Sequence, residues 1–321
     1  MLLKDDNGSR LSVSRAQLSD PPPLEGEPVR ILDGPAGPIP SYATADEANT
    51  DRRTIEAFGH EWRRFSEFTD AEIRKGGEEY FGDLVTEEML RGARVLDVGC
   101  GSGRWARYLA GFASCVDAVD PSEAALVAAR NTASLKNVRV VQAGVSSLPY
   151  EDNSFDLVAS VGVLHHVPDT AGAIGRLVRL VRPGGWIYLY LYYRLEGRSI
   201  GYKAAFHAAS AMRRVISRLP NRLRITAAEV AAVTIYLPCI AVASMLRKVA
   251  PARSWHEQVP LHYYVGRPWK VVRNDALDRL GTPVERRFDK GEITAMLKAA
   301  GLHEITFGDS MPRWRVIARR P

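Results

Sequence analysis

The sequence predicts a doubly wound α/β fold, with a mostly parallel sheet, an N-terminal helical cap and a helical insertion after the fifth strand. Three observations carry this. Apolar runs alternate with helical segments from Arg94 to Tyr193. The runs are nearly continuous in apolar residues, as strands covered on both faces are. A glycine-rich turn, "DVGCGSG" (Asp97 to Gly103), joins the first run to a helix. At 321 residues, 46% apolar and 25% charged, the chain has material for one large core or two modest ones.

Residues 1–50 read as a poorly ordered leader, because "DPPPLEGEP" and "DGPAGPIP" are dense in proline and glycine. Residues 51–90 read as a helical cap. Ile55, Phe58, Trp62 and Phe65 recur at helical spacing, and a second helix is expected from Asp70 to Leu84. The segment 91–195 carries five strands: "RVLDVG", "SCVDAVD", "NVRVVQA", "FDLVASVGV" and "WIYLYLYY". Between them lie the helices "RWARYLAGF", "SEAALVAARNTASL" and "TAGAIGRLVRLV", the last stopped by "RPGG". Asp156, at the start of its strand, reads as structural.

The alternation then breaks. Residues 196–275 hold two long helical stretches, "SIGYKAAFHAASAMRRVISRL" and "TAAEVAAVTIYLPCIAVASMLRKVA". It resumes over 276–321. There "DKGEITAMLKAAG" has an Asp N-cap and a Gly C-cap, and "LHEITFG" and "WRVIARR" bring the strand count to seven.

Gly99, Gly101 and Gly103 alternate directly behind Asp97. A strand that ends at Val98 and enters a helix at Arg104 must turn sharply, and glycine also lets a ligand approach the main chain. The spacing G-x-G-x-G is neither the dinucleotide pattern G-x-G-x-x-G nor a phosphate loop, which would continue into G-K-[ST].

This segment resembles the first motif of the class I S-adenosylmethionine-dependent methyltransferases, and the resemblance continues in order along the chain. It expects an acid ending the second strand, where Asp120 stands, and "LP…FD", met by Leu148-Pro149 and Phe155-Asp156. It also expects "LHHV" after the fourth strand, met by Leu164 to Val167, and "RPGG", met by Arg182 to Gly185. In this core the chain is similar to the ubiquinone/menaquinone-type subgroup. The prefix "FGHEWRRF" resembles that of some bacterial small-molecule and glycan-associated relatives. Some of those carry a cysteine-bearing zinc leader; this leader has no cysteine, so no metal is expected.

The resemblance implies a Rossmann-like seven-stranded sheet and S-adenosyl-L-methionine as cofactor. It implies a cofactor site built from Asp97, Gly99, Cys100, Gly101, Gly103, Asp120, Pro121, Gly144, Val145 and Val161. Asp120 is expected to accept hydrogen bonds from both ribose hydroxyls. One position departs from the pattern: four residues before Leu148 the subgroup carries an acid near the adenine amino group, and here Gly144 stands there. Adenine is therefore expected against the backbone around Val145.

His165 and His166 follow the fourth strand and are the candidate general bases, since imidazole titrates near neutrality. Trp62, His262, Tyr263, Tyr264 and Arg267 are candidate substrate contacts. Three separated cysteines, Cys100, Cys115 and Cys239, form no disulfide framework or metal spacing. The N-terminus has no apolar signal region, so a cytoplasmic setting is expected.

The net charge of +6 is uneven: from Arg194 to Arg273 there are 14 Lys and Arg against 3 Asp and Glu. That basic region also contains Val230 to Leu246 without a charge, with Pro238 near its centre. A substrate lid, a dimer interface or a peripheral membrane contact fits this pattern. The functional expectation is methyl transfer to a small, apolar or anionic acceptor in biosynthesis. The alternatives are a methyltransferase acting on tRNA or protein, and a non-catalytic cofactor-binding scaffold. Nucleic acid is disfavoured, because the charges are interleaved with long apolar stretches rather than aromatics.

Overall fold

The computed structural model describes residues 19–44, 47–64, 67–194, 200–249, 254–309 and 313–321. Contacts divide these into two compact units. One comprises the described residues up to Arg194 together with Arg286–Pro321, and the other the described residues from 200 to Glu285.

The first unit is built on a seven-stranded sheet. Its strands are β3 (Arg94–Val98), β4 (Cys115–Val119), β5 (Val138–Val141), β6 (Phe155–Val161), β7 (Val181–Tyr192), β8 (His303–Phe307) and β9 (Arg313–Arg319), in the order β5-β4-β3-β6-β7-β9-β8. Strands β3 to β7 pair in parallel, and β9 runs antiparallel to both β7 and β8. The chain moves outward from β3 through β4 to β5, then returns to β6 on the other side of β3. This reversal opens a crevice at the carboxyl ends of β3 and β6. The interior positions of β3 and β4 are buried, the carboxylates Asp97 and Asp117 among them.

The helices of this unit are α1 (Arg52–Arg64), α2 (Asp70–Phe81), α3 (Glu87–Leu90), α4 (Arg104–Ala110), α5 (Ala124–Thr132), α6 (Thr170–Leu180) and α11 (Lys290–Ala299). Local chemistry fixes several of their ends. Thr69 and Glu72 form a reciprocal capping box on α2, and Asp289 and Glu292 do the same on α11. Gly301 follows α11 with φ +84°, the left-handed turn expected there. Asp156 accepts from the Arg94 backbone N–H at 2.6 Å and pairs with Arg182, a structural role. Phe65 of the predicted amphipathic series lies outside the described residues.

The leader departs from its expectation. Residues from Ser19 onward are held in place, and β1 (Arg30–Gly34) pairs antiparallel with β2 (Gly37–Ser41). The hairpin joins the edge of the main sheet at Gln142. Its N–H donates to the Pro40 carbonyl (2.9 Å), and its carbonyl accepts from the Tyr42 N–H (2.7 Å). The prolines that argued against a strand are tolerated for a geometric reason. In an antiparallel strand a residue's N and C=O share one side. The Pro40 carbonyl faces Gln142, so its missing N–H takes nothing from the β1 pairing. Arg139, paired bidentately with the buried Asp117 (2.7 and 2.8 Å), also donates to the Pro22 carbonyl and ties the arm down further upstream.

The second unit contains α7 (Ile200–Ile216), α8 (Asn221–Ala231), a π-helical turn (Ala232–Tyr236), α9 (Leu237–Val249) and α10 (Trp269–Gly281). The π turn ends two residues before Pro238, which has no N–H for the helical ladder, so the turn is widened where that donor is missing. The insertion extends past the predicted boundary at 275. Val272, Ala276, Leu277 and Leu280 of α10 are buried, and two of them pack with Ala232, Tyr236 and Tyr264 in this unit's own core.

Ile39 tests the leader's place in the fold. It is 3% exposed and belongs to the core cluster that includes Val95, Val116 and Val140. Ile39→Ala is expected to lower unfolding free energy by about 2–5 kcal/mol in denaturant titration. An unchanged transition would mean that the arm contributes nothing to the fold.

Candidate active site

The crevice at the strand ends is a pocket lined by five segments. Thr50, Asp51, Thr54, Ile55, Phe58 and Trp62 come from the leader and α1. Val98 ends β3 and Gly99 follows it, and Asp120 to Ser122 follow β4. Ala143 to Val145 follow β5, while Val161 ends β6 and Gly162, Val163, His166 and Val167 come after it. All belong to the first unit.

The three glycines of the turn have φ of +75°, +53° and +77°, a region disfavoured for other residues. Each also meets a different neighbour. A Cβ on Gly99 would run into Val163, one on Gly101 would lie 2.8 Å from the Trp62 indole, and one on Gly103 would lie 3.1 Å from Ala128 of α5. The N–H groups of Gly99 and Cys100 both donate to the Val119 carbonyl (2.7 and 2.9 Å), which fastens the turn to the end of β4. Gly99 itself lines the pocket. Cys100, Gly101 and Gly103 support it from behind, and burial pushes the Cys100 thiol well up, leaving it inert.

Asp97 and Asp120 lie beneath this turn at 1% and 6% exposure. Asp120 Oδ2 accepts from the Gly101 N–H (3.0 Å), and Oδ1 accepts from the Ser122 N–H (2.9 Å) and hydroxyl (2.6 Å). A carboxylate offers about four acceptor sites, so three are engaged. To accept from both ribose hydroxyls, Asp120 must give up one bond, and the rotatable Ser122 hydroxyl is the one able to leave.

Both Asp97 carboxylate oxygens are buried without a hydrogen-bond partner. Burial, reinforced by the neighbouring Asp120 charge and only partly offset by the Ala106 amide and Arg104, pushes its carboxyl up to about 7. A buried acceptor pair lacking a donor is matched by a cationic ligand rich in N–H groups. S-adenosylmethionine, with an ammonium and a sulfonium, fits this requirement. Asp97, Asp120 and the backbone of the glycine turn are the groups that would hold it.

A carboxylate from elsewhere in the chain stands beside Gly144. Glu47, in the leader, places its carboxylate in the space that a side chain at 144 would fill. Ser147 Oγ donates to it at 2.7 Å, and burial raises its carboxyl above the ordinary range against the bonds from Ser147 and the backbone of 144–147. Two residues on, the Asn49 side chain exchanges hydrogen bonds with the Asp169 N–H and carbonyl and pins this segment beside the pocket. No sequence motif marks Glu47. The only signal was the vacancy at 144.

The two histidines separate. His166, 4% exposed, lines the pocket with its ring at 4.9 Å, edge-on, from Phe58. His165 is a correction to the expectation of a base: it is fully buried, stacks on Tyr192 at 3.8 Å and does not line the pocket. Burial, then the neighbouring His166 and Arg287, hold its pKa well below the usual imidazole value, so it stays neutral. Its carbonyl accepts from the Arg286 N–H at 2.8 Å, so its role is in packing.

Trp62 lines the pocket as a wall against the glycine turn, with the Arg104 guanidinium 5.5 Å from its ring. The other substrate candidates are absent from the lining and belong to the second unit. Tyr264 is 1% exposed, and its hydroxyl donates to Asp275 at 2.7 Å. Tyr263 donates to the same carboxylate and accepts from Arg279 (3.0 Å). His262 Nδ1 lies 3.1 Å from the Val259 carbonyl, and Arg267 is exposed. The polar-aromatic cluster thus supplies internal structure to its own unit.

Two measurements test this geometry. A cation bound at Asp97 favours the carboxylate, so below pH 7 binding must expel a proton. Affinity should therefore rise by up to about tenfold per pH unit as pH increases towards 7, and then level. It should fall again once the ligand's α-amino group, of ordinary pKa about 7.7–8.0, loses its proton. Calorimetry across pH should show this rise, and Asp97→Asn should abolish it. Glu47→Ala should weaken the cofactor by about 1.5–3 kcal/mol, the range for a charge-assisted bond, and adding Gly144→Asp should recover most of that loss. Equal affinities in all three proteins would remove Glu47 from the site.

Residues 96–189 match the family described as a methyltransferase domain. A ubiquinone biosynthesis O-methyltransferase from Thiobacillus denitrificans is 40% identical over 106 residues, 32% of this chain and 46% of that protein. A demethylmenaquinone methyltransferase from Staphylococcus epidermidis is 37% identical over 108 residues, 32% of this chain and 45% of that one. The chain thus spans less than half the length of the curated relatives it matches. Among solved structures, the 1,6-didemethyltoxoflavin-N1-methyltransferase of Burkholderia thailandensis, bound to 1,6-didemethyltoxoflavin and S-adenosylhomocysteine, has a TM-score of 0.45 at 20% identity, covering 81% of this chain and 83% of that one. The matched segment and the sheet order agree: residues 96–189 are similar to the methyltransferase domain of ubiquinone and demethylmenaquinone methyltransferases.

Proposed function

We propose that this protein transfers a methyl group from S-adenosylmethionine to the oxygen, nitrogen or carbon of a small apolar acceptor, as a biosynthetic enzyme of the cytoplasm. The observation that carries the reading is the apolar part of the pocket lining. Ile55, Phe58, Val161, Val163 and Val167 are apolar, and His166 is the imidazole among them. When bound, the cofactor supplies a methyl group already activated by its sulfonium. The chain's task is then to hold an acceptor in line and exclude water, which apolar walls accomplish. His166 is placed to take the proton of an acceptor hydroxyl or amine.

The relatives' names support an apolar acceptor, since they refer to ubiquinone and demethylmenaquinone. The free state of all three cysteines agrees with a reducing cytoplasm.

A methyl-transfer screen with labelled cofactor against lipophilic phenols and hydroquinones is the direct test. With an accepted substrate, His166→Gln should lower kcat by about 10²–10⁴-fold while cofactor affinity stays near that of the wild type. His165→Phe, which keeps a ring on Tyr192, should retain turnover. Normal turnover in His166→Gln would assign the rate to positioning alone. Transfer to tRNA but to no apolar small molecule would overturn the acceptor class.

A further inference from the structure

The continuous helix Arg222–Val249 is long and apolar enough to cross a membrane, yet only 22% of its most apolar window is buried. Its inner face is conventional. Ala228, Ala231, Ala232, Tyr236 and Ala243 are buried, and Ala232 and Tyr236 pack with Tyr264, Val272 and Ala276. The outer face carries Leu223, Val230, Val233, Leu237, Val242, Met245 and Val249, which are 42% to 73% exposed. Of the thirteen large apolar side chains exposed among the described residues, eleven lie between 200 and 285. The exposure is therefore a property of one unit, not a scatter over the surface. A contiguous apolar patch of this kind marks an interaction surface.

Charge decides what it meets. Between Glu229 and Arg247 the helix has no ionisable acid or base except Tyr236 and Cys239, both neutral at pH 7. Glu229 is itself paired with Arg273 at 2.7 Å. Exposed cations frame the stripe: Arg222 at one end, Arg247 and Lys248 at the other, and Lys203, Arg214 and Arg218 on the neighbouring α7 segment beside the exposed Val215. Trp255, 52% exposed, follows the helix, a residue type suited to a membrane–water boundary. An apolar stripe with a cationic frame complements an anionic lipid surface. The same frame on a second copy of the chain would face its own like charges. Crossing a bilayer is disfavoured by the inner face, which carries Arg224 and the Glu229–Arg273 pair and is packed against its own unit.

We propose that the outer face of this helix docks on an anionic membrane, lying in the plane of the interface with the stripe at the acyl boundary and the arginines and lysines at the phosphates. This surface stands independently of the catalytic reading.

The test is flotation with vesicles of phosphatidylcholine alone or mixed with phosphatidylglycerol. The protein should bind the anionic vesicles, more weakly in high salt, and bind phosphatidylcholine at least about tenfold less. Val233→Asp/Met245→Asp should reduce binding to the anionic vesicles by about tenfold or more. Unchanged cofactor affinity in that variant would show that the methyltransferase unit is intact, and circular dichroism would show that the inserted helices are. Arg214→Glu/Arg218→Glu, which leaves the stripe untouched, should also reduce anionic binding. Failure to bind anionic vesicles at low salt would overturn the proposal. So would a dimer in sedimentation equilibrium that Val233→Asp dissociates, which would assign the stripe to a second copy. Retention in membranes through alkaline carbonate extraction would assign a span instead.

Discussion

The structure is organised around two carboxylates that share one buried floor. Asp97 and Asp120 are sealed beneath the glycine turn, and the Asp120 charge raises the cost of ionising Asp97. Asp120 offsets its burial with bonds from Gly101 and Ser122, while Asp97 is only weakly relieved by the Ala106 amide and Arg104. A buried acid without a donor is unfavourable for the empty protein and favourable for a protein meeting a cation. Stability given up at Asp97 thus becomes affinity for a positively charged, donor-rich ligand. The three left-handed glycines follow from the same constraint, because only a turn without side chains lets the ends of β3 and β4, Trp62 and α5 converge over these acids.

The leader completes that site rather than preceding it. Its hairpin adds to the sheet edge at Gln142, Arg139 fixes it at Pro22, and Asn49 ties it to Asp169. These anchors bring Glu47 to the gap left by Gly144, and Thr50, Asp51 and α1 to the pocket wall. The carboxylate beside Gly144 thus comes from a segment nearly a hundred positions away along the chain.

The inserted unit has its own economy. Tyr263, Tyr264, Asp275 and Arg279 satisfy one another inside it, and α10 closes its core. With these polar groups committed inward, what remains outward on the long helix is aliphatic. Aliphatic surface framed by arginine and lysine is suited to a lipid boundary and poorly suited to reading nucleic-acid bases.

The sequence by itself determined the sheet, the order of its helices and the cofactor-binding turn. Those depend on local pattern: continuous apolar strands, capping residues at Asp289 and Gly301, and glycines at fixed spacing behind Asp97. Tertiary structure alone decided the rest, because each remaining feature depends on which surface a residue meets. Proline-rich residues 30–41 became a hairpin because a sheet edge was available where the missing N–H groups were not needed. His165 and His166 are neighbours in sequence, yet one faces Tyr192 and the other the pocket, since consecutive side chains in a tight turn diverge. Glu47 could not be read from any motif, because its role arises only where two distant segments fold against each other.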